Sequence, residues 1–169
     1  MIYYDEIAEG YEELHREEQE KKIACIQKEL LSLGWKIGKK ETVLDVGCGT
    51  GITTVPWPGK KTGIDPAKKL LAKAKENYPQ IRFEKGEAEH LPFKDASFDW
   101  VFSITALQNF HNLNAALNEM KRIGKQYFVL SFLKKSPKGE EMSASIKKKF
   151  QVVQEVEEEK DWIFFLESK

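Results

Sequence analysis

Residues 43–66, VLDVGCGTGITTVPWPGKKTGIDP, constrain the fold more than any other stretch of the chain. A mostly apolar run, Thr42–Val46, ends in three glycines at alternate positions, Gly47, Gly49 and Gly51. Such a run, without polar alternation, is the kind of strand buried on both faces of a parallel sheet. Glycine permits backbone angles that a side chain forbids, and it lets a ligand approach the main chain. A helix should follow, with its first N–H groups turned toward an anion. Pro56 and Pro58 arrive almost at once, and proline removes a helix hydrogen bond and clashes one turn back. Only about one helical turn fits between the glycines and the prolines. Trp57, between them, either fills the core or meets a partner.

The rest of the chain alternates in the same way. Residues 5–33 read as helical, with Ile7, Tyr11 and Leu14, then Ile23, Ile26, Leu30 and Leu33, recurring at helical spacing. Gly10 is expected to break this stretch into two helices, and Gly34 to stop it. Strands are expected at Lys61–Ile64, Ile81–Lys85, Phe98–Ile104 and Gln126–Leu133, and helices at Pro66–Asn77, Leu113–Ile123 and Ser143–Phe150. Gly124 suits a helix cap. Residues 151–168 read as two strands around a turn near Glu158–Lys160. Strands alternating with helices imply a doubly wound, mostly parallel α/β sheet of seven strands, closed by a C-terminal antiparallel hairpin. We expect one domain over residues 1–169, with an N-terminal helical part to residue 38, a binding core over 39–133, and a short helix and hairpin over 134–169.

Composition narrows the class. The 169 residues are 41% apolar and 32% charged, which suits a globular chain rather than a disordered one. No apolar run approaches the ~20 residues that span a bilayer. The first residues, MIYYDEIAEGYEELH, are acidic and polar, so we expect no secretory signal and a cytoplasmic protein. Lysine and arginine balance aspartate and glutamate, 27 against 27. Net charge therefore does not indicate nucleic acid as a partner, although Lys134–Lys138 and Lys147–Lys149 form local basic clusters. Cys25 and Cys48 suggest no disulfide framework, and His15, His90 and His111 are scattered, so no metal site is expected.

Ligands of such sheets bind beyond the carboxyl ends of the strands, which singles out four positions. After strand one comes DVGCGTG, whose G-x-G-x-G spacing differs from the dinucleotide G-x-G-x-x-G and so disfavours a nicotinamide-dependent reductase. After strand two stands Asp65, where one carboxylate can accept from both hydroxyls of a ribose, or can cap the helix that starts beside it. After strand three comes GEAE: Glu87 can accept from an exocyclic amine while the Ala88 N–H donates to a ring nitrogen, or the loop is plain acidic surface. After strand four comes SITALQNFH. There His111 is the only histidine near the expected reaction face and a candidate general base. Gln108 and Asn109 either orient a substrate or cap the next helix.

Taken in order, these motifs resemble the class I S-adenosylmethionine-dependent methyltransferases of the small "methyltransferase domain 11" type. VLDVGCGTG resembles the family's first motif, GIDPAKKLLAKAKE its ribose-acid strand and helix, GEAEHLPFKDASFDWVFS its adenine loop and fourth strand, and YYDEIAEGYEELH the segment that folds over the cofactor. The likeness runs from about residue 3 to residue 133. It implies that S-adenosylmethionine is bound and S-adenosylhomocysteine released. The backbone of Gly47, Cys48 and Gly49, within the turn that Gly51 completes, would meet the methionine part. Asp45 would orient the turn or meet the amino group, and Asp65 would hold the ribose. Pro66 would lie against adenine, Glu87 and Ala88 would read it, and Ser103 would lie near the methionyl amine. Tyr4 and Tyr11 would close the lid, or simply pack.

Four features depart from the family's pattern. Glu87 stands where the family usually has aspartate. The first helix is cut short, which a cofactor with a carboxylate and no phosphate tolerates. TALQNFHNL lacks the D/N-P-P-Y signature of enzymes that methylate amine nitrogens. Only the basic KKSPKGEEMSASIKKKF stands where small-molecule enzymes often carry a substrate cover. The acceptor is thus left open among small molecule, protein and RNA. The alternatives are an active methyltransferase or a cofactor-binding, catalytically idle subunit of a protein partner; a homodimer is also compatible with the sequence.

Overall fold

The computed structural model describes residues 8–169, with side chains from His15 onward. The order of elements is α1 (Ala8–Leu33), β1 (Thr42–Val46), β2 (Lys60–Asp65), α2 (Lys68–Asn77), β3 (Arg82–Lys85), β4 (Phe98–Ser103), a 3₁₀ turn (Leu107–Asn109), α3 (Leu113–Ile123), β5 (Gly124–Leu133), α4 (Gly139–Lys149), β6 (Phe150–Glu157) and β7 (Asp161–Ser168). The seven strands form one sheet in the order β3-β2-β1-β4-β5-β7-β6. The first five are parallel, and β7 runs antiparallel to both β5 and β6. The expected mostly parallel sheet with a terminal hairpin is therefore present. None of the described helices is long and apolar enough to cross a membrane.

Alternation along the central strands sends neighbours to opposite faces, because side chains reverse at every residue of a strand. Val101, Phe128 and Leu130 face one layer, with Leu117, Met120 and Ile123 of α3 and Met142 and Ile146 of α4. Trp100, Phe102 and Val129 face the other, with Ile23, Ile26 and Leu30 of α1. A smaller cluster of Leu71, Ala74, Ile81 and Phe83 holds α2 against β3.

Three expectations are corrected. Helix α1 runs through Gly10 without a break: one glycine costs only about 1 kcal/mol relative to alanine, which docking of the helix outweighs. Helix α4 begins at Gly139, before Ser143, and ends before Phe150, which opens β6. Glu140 and Glu141 sit in its first turn and Lys147–Lys149 in its last, so both charge groups favour the helix dipole. Gly124 caps α3 but also opens β5, two residues ahead of Gln126.

The short connection after the glycines forms hydrogen-bonded turns, Thr54 N to Gly51 O at 3.0 Å and Val55 N to Gly51 O at 3.2 Å, with no α-helix. Trp57 takes the space a longer helix would fill. It is 2% exposed, stacks on Phe102 with ring centroids 4.3 Å apart, and donates its indole N–H to Thr53 O at 2.6 Å. Of its two readings, core filler is the one that holds.

Candidate functional site

The chain builds β1, β2 and β3 toward one edge and then crosses back to β4 and β5, so the sheet switches direction between β1 and β4. A cleft opens there, beyond the carboxyl ends of the strands. Counting its open mouth, it encloses about 730 Å³. Each strand end contributes a short segment: Val46, Gly47 and Gly49 after β1, Asp65–Ala67 after β2, Gly86–Glu89 after β3, and Ile104–Ala106 with Asn109–His111 after β4.

The glycine turn reaches this position by left-handed backbone at Gly47, with φ +79°. A Cβ there would stand 2.8 Å from that of Ala106, so glycine is what lets the β1 and β4 segments close together. Gly51, φ +90°, serves a different neighbour: a Cβ would come within 2.9 Å of Phe83, in the core behind the cleft. Gly47 and Cys48 both donate their N–H to Ile64 O, at 2.8 and 3.1 Å, which ties the turn to β2.

Asp65 joins the two motifs. Its Oδ2 accepts from Gly49 N at 2.9 Å, and its Oδ1 accepts from Ala67 N at 2.8 Å, at the start of α2. The side chain is buried yet belongs to the cleft wall. A carboxylate has about four acceptor positions, so capping the helix and meeting a ligand are compatible. The third segment is set by Gly86 N donating to Asp65 O at 3.2 Å. Further on, Arg122 donates to Phe93 O and Leu91 O and pairs with Glu119, whose Oε2 accepts from Leu91 N at 2.8 Å. The hydrogen bonds from Arg122 hold the Glu119 carboxyl below its usual range.

Asp45 lies beneath the turn, fully buried. Its Oδ2 accepts from the hydroxyls of Thr53 and Thr54, at 2.7 and 2.8 Å. Burial pushes its pKa up to about 6, against the opposing effect of the two hydroxyls and with help from the Asp65 charge. A small cavity behind the turn is lined by Gln19, Gly47, Cys48, Thr50, Ile52, Thr53 and Ile104. Gln19 Oε1, Asp45 Oδ1 and Thr50 Oγ1 are buried there or close by, with no hydrogen bond among the described residues. Three orphaned oxygens are unusual in one small region. They suit a ligand that brings N–H donors.

Of the residues singled out from the sequence, Gly47, Gly49, Asp65, Pro66, Glu87, Ala88 and His111 line the cleft. Cys48 bounds the small cavity, and its thiol, pushed well up by burial, packs near Gly63. Ser103 is fully buried and donates to Val46 O at 2.8 Å; it is not among the lining residues. Gln108 donates to Thr105 O at 2.8 Å, and Asn109 faces the cleft. The cap of α3 comes from Asn112, which accepts from Ala115 N at 3.0 Å. Tyr4 and the side chain of Tyr11 lie outside the described residues. Sequence reasoning missed Gln19, Thr50, Thr105 and Phe110. Thr50 sits inside the glycine motif and was within reach of it, whereas Gln19 is one polar residue in a polar helix.

The fold is Rossmann-like, with the cleft at its topological switch point. A family model described as a methyltransferase domain matches residues 44–130, and the chain belongs to that family, the class I S-adenosylmethionine-dependent methyltransferases. The demethylmenaquinone methyltransferase of Chlorobaculum parvum is 31% identical over 79% of this chain and 60% of its own length. An S-adenosylmethionine-dependent methyltransferase of Thermotoga maritima shares the fold over 100% of both chains, with a TM-score of 0.77 at 20% identity. So does a Haloferax volcanii putative methyltransferase solved in complex with the Trm112 methyltransferase activator, with a TM-score of 0.66 at 17% identity over 78% of this chain and 83% of that one. The chain spans about half the length of the curated relatives it matches.

S-adenosylmethionine carries an ammonium, a ribose diol and an adenine amine, all hydrogen-bond donors. The Asp65 and Glu87 carboxylates on the cleft wall can accept from the diol and the amine, and the orphaned oxygens in and beside the small cavity behind the turn are acceptors for an ammonium. The residues present therefore fit the family's cofactor.

Proposed function

We propose that the protein transfers a methyl group from S-adenosylmethionine to an acceptor that enters over Asn109–His111. The observation that carries this reading is the convergence of the glycine turn, Asp65 and Glu87–Ala88 on one cleft. Asp65 holds the ribose hydroxyls, its carboxylate steadied by the Gly49 and Ala67 amides. Glu87 accepts from the adenine amine, the Ala88 N–H donates to the ring, and Pro66 packs against it. The backbone of Gly47, Cys48 and Gly49 receives the methionine part. Asp45, with Gln19 and Thr50, receives its ammonium. Ser103 and Gly51 act one layer back, steadying Val46 and the core at Phe83.

When bound, S-adenosylmethionine supplies an activated methyl group and a good leaving group, so the protein has mainly to position the acceptor in line with it. His111, exposed at the mouth, takes the acceptor's proton where the acceptor carries one. Tyr11, on α1, closes over the cofactor. We read residues 1–38 as this lid, 39–133 as the cofactor core and 134–169 as the supporting helix and hairpin of the same domain. The acceptor is a small molecule, a protein or an RNA. A second reading, in which the chain binds cofactor but turns over only with a protein partner, is supported by the Haloferax volcanii neighbour and its activator.

Calorimetric titration with S-adenosylhomocysteine tests the first step, and saturable binding at one site per chain is expected. Transfer of label from methyl-tritiated S-adenosylmethionine into a cell extract, fractionated by size and by nuclease and protease sensitivity, tests the second. Absence of binding would overturn the reading. Binding without transfer, restored by adding extract protein, would favour the partner-dependent form.

A further inference from the structure

The cleft wall that follows β4 turns on a residue in an unusual backbone region. Thr105 has φ +55°, which β-branched residues seldom adopt. The wall depends on this turn: Ala106, next in the chain, meets Gly47, and the 3₁₀ turn, Phe110 and His111 follow.

Every polar group of Thr105 is engaged. Its N–H donates to Ser131 Oγ at 2.7 Å, and its carbonyl accepts from Gln108 at 2.8 Å. Its hydroxyl donates to Asp161 Oδ2 at 2.7 Å and accepts from Lys22 Nζ at 2.9 Å. Ser131 donates to the same Asp161 oxygen at 2.8 Å. Lys22 Nζ stands 3.1 Å from Asp161 Oδ1, and the two side chains are 1% and 0% exposed. The four residues come from α1, the β4–α3 connection, β5 and β7.

A fully buried ion pair is a poor way to gain stability. Desolvation offsets most of the attraction, and an apolar pair of similar volume would hold α1 to the sheet as well or better. What an apolar pair lacks is direction. Asp161 can only accept and Lys22 can only donate, so together they fix where the Thr105 hydroxyl points.

We propose that Lys22 and Asp161 are positioning residues for the transfer site: their buried pair locks the left-handed turn at Thr105 and so sets the Ala106–His111 wall. Because Lys22 belongs to α1, the wall is set only while that helix is docked. The proposal rests on the reading of the cleft as the cofactor and acceptor site.

The test uses Lys22→Met, Asp161→Asn, Thr105→Gly and the Lys22→Met/Thr105→Gly double variant. Two readouts are taken: hydrogen exchange of the unliganded chain by mass spectrometry, and calorimetric binding of S-adenosylhomocysteine. In Lys22→Met and Asp161→Asn, amides 105–111 are expected to exchange about tenfold faster or more, at exchange times too short for β1 and β5 to exchange. Binding of S-adenosylhomocysteine should weaken by about fivefold or more in the same variants. Glycine reaches φ +55° unaided, so whatever Thr105→Gly costs by itself, adding Lys22→Met to it should weaken binding by less than about twofold. Exchange of β1 and β5 alongside 105–111 at those same short times, unchanged exchange in 105–111, or the same Lys22→Met penalty in both backgrounds would overturn the proposal. Should Lys22→Met alone fail to fold, a folded double variant supports the lock and an unfolded one overturns it. A wild-type chain that does not bind S-adenosylhomocysteine would refute the cofactor reading instead, and hydrogen exchange would still decide the lock.

Discussion

Asp45→Asn replaces one oxygen of a fully buried acid with an amide of nearly the same shape. With its carbonyl on the Thr53 and Thr54 hydroxyls, the asparagine keeps both hydrogen bonds and exchanges one orphaned atom for another at the Oδ1 position. What changes is the charge. Burial raises the Asp45 pKa from 3.8 to about 6, so the folded state binds this proton more tightly than the unfolded state does. The sign follows from linkage: below about pH 4 both states are protonated and the ionised group costs nothing, the cost grows between about pH 4 and 6, and it is complete above that. A pKa raised by about 2 corresponds to about 3 kcal/mol. Asparagine carries no such cost, so the variant should match wild type near pH 4 and exceed it by about 3 kcal/mol at pH 7.5, or about 6–12 °C in Tm for a chain of this size. Urea unfolding from pH 4 to 8 measures the difference. A gain that is the same at every pH, or a loss at pH 7.5, would refute the reasoning. The same variant should bind S-adenosylhomocysteine at least about tenfold more weakly, because the carboxylate opposite the ammonium is gone. Higher stability with unchanged affinity would remove Asp45 from the cofactor site.

Asp65→Ala leaves the Gly49 and Ala67 amides without their acceptor. It should cost about 1–3 kcal/mol by urea unfolding and abolish S-adenosylhomocysteine binding; retained micromolar affinity would defeat the ribose assignment. Trp57→Ala empties a site that is 2% exposed and should cost about 3–5 kcal/mol; a loss below about 1 kcal/mol would mean that the turn holds itself without the indole. His111→Ala, altered at the exposed mouth, should leave S-adenosylhomocysteine affinity within about twofold while lowering tritium transfer by about 100-fold or more. Unchanged transfer would exclude His111 as the base.

How far the sequence could be read depended on how far apart in the chain the interacting groups lie. The strand Thr42–Val46, the alternation of elements and the terminal hairpin depend on local periodicity, and they stand where expected. The site motifs are also local: each is a strand end plus a turn, and sheet topology alone brings Gly47, Asp65, Glu87 and His111 to one cleft. The boundary of α4 slipped because its first turn is Gly-Glu-Glu, which carries dipole complementarity but no apolar periodicity. The break at Gly10 failed to appear because a small intrinsic cost says little once a helix is docked.

Lys22 and Gln19 mark the limit. In EEQEKKIACIQ they look like two more polar residues on a solvated face, yet both are buried. Lys22 is buried because Asp161 and Thr105, far along the chain, meet it there. No period within α1 encodes that meeting. A buried lysine without its carboxylate would be strongly unfavourable, so Lys22 and Asp161 constrain one another through the fold and not through their neighbours in sequence. It follows that the residues which dock α1 beneath the glycine turn and beside Thr105 are those a local reading was bound to miss. Their side chains also belong to the helix we assign to the lid. In this protein the local motifs specify what the cleft can bind, and the long-range polar contacts specify the geometry in which it does so.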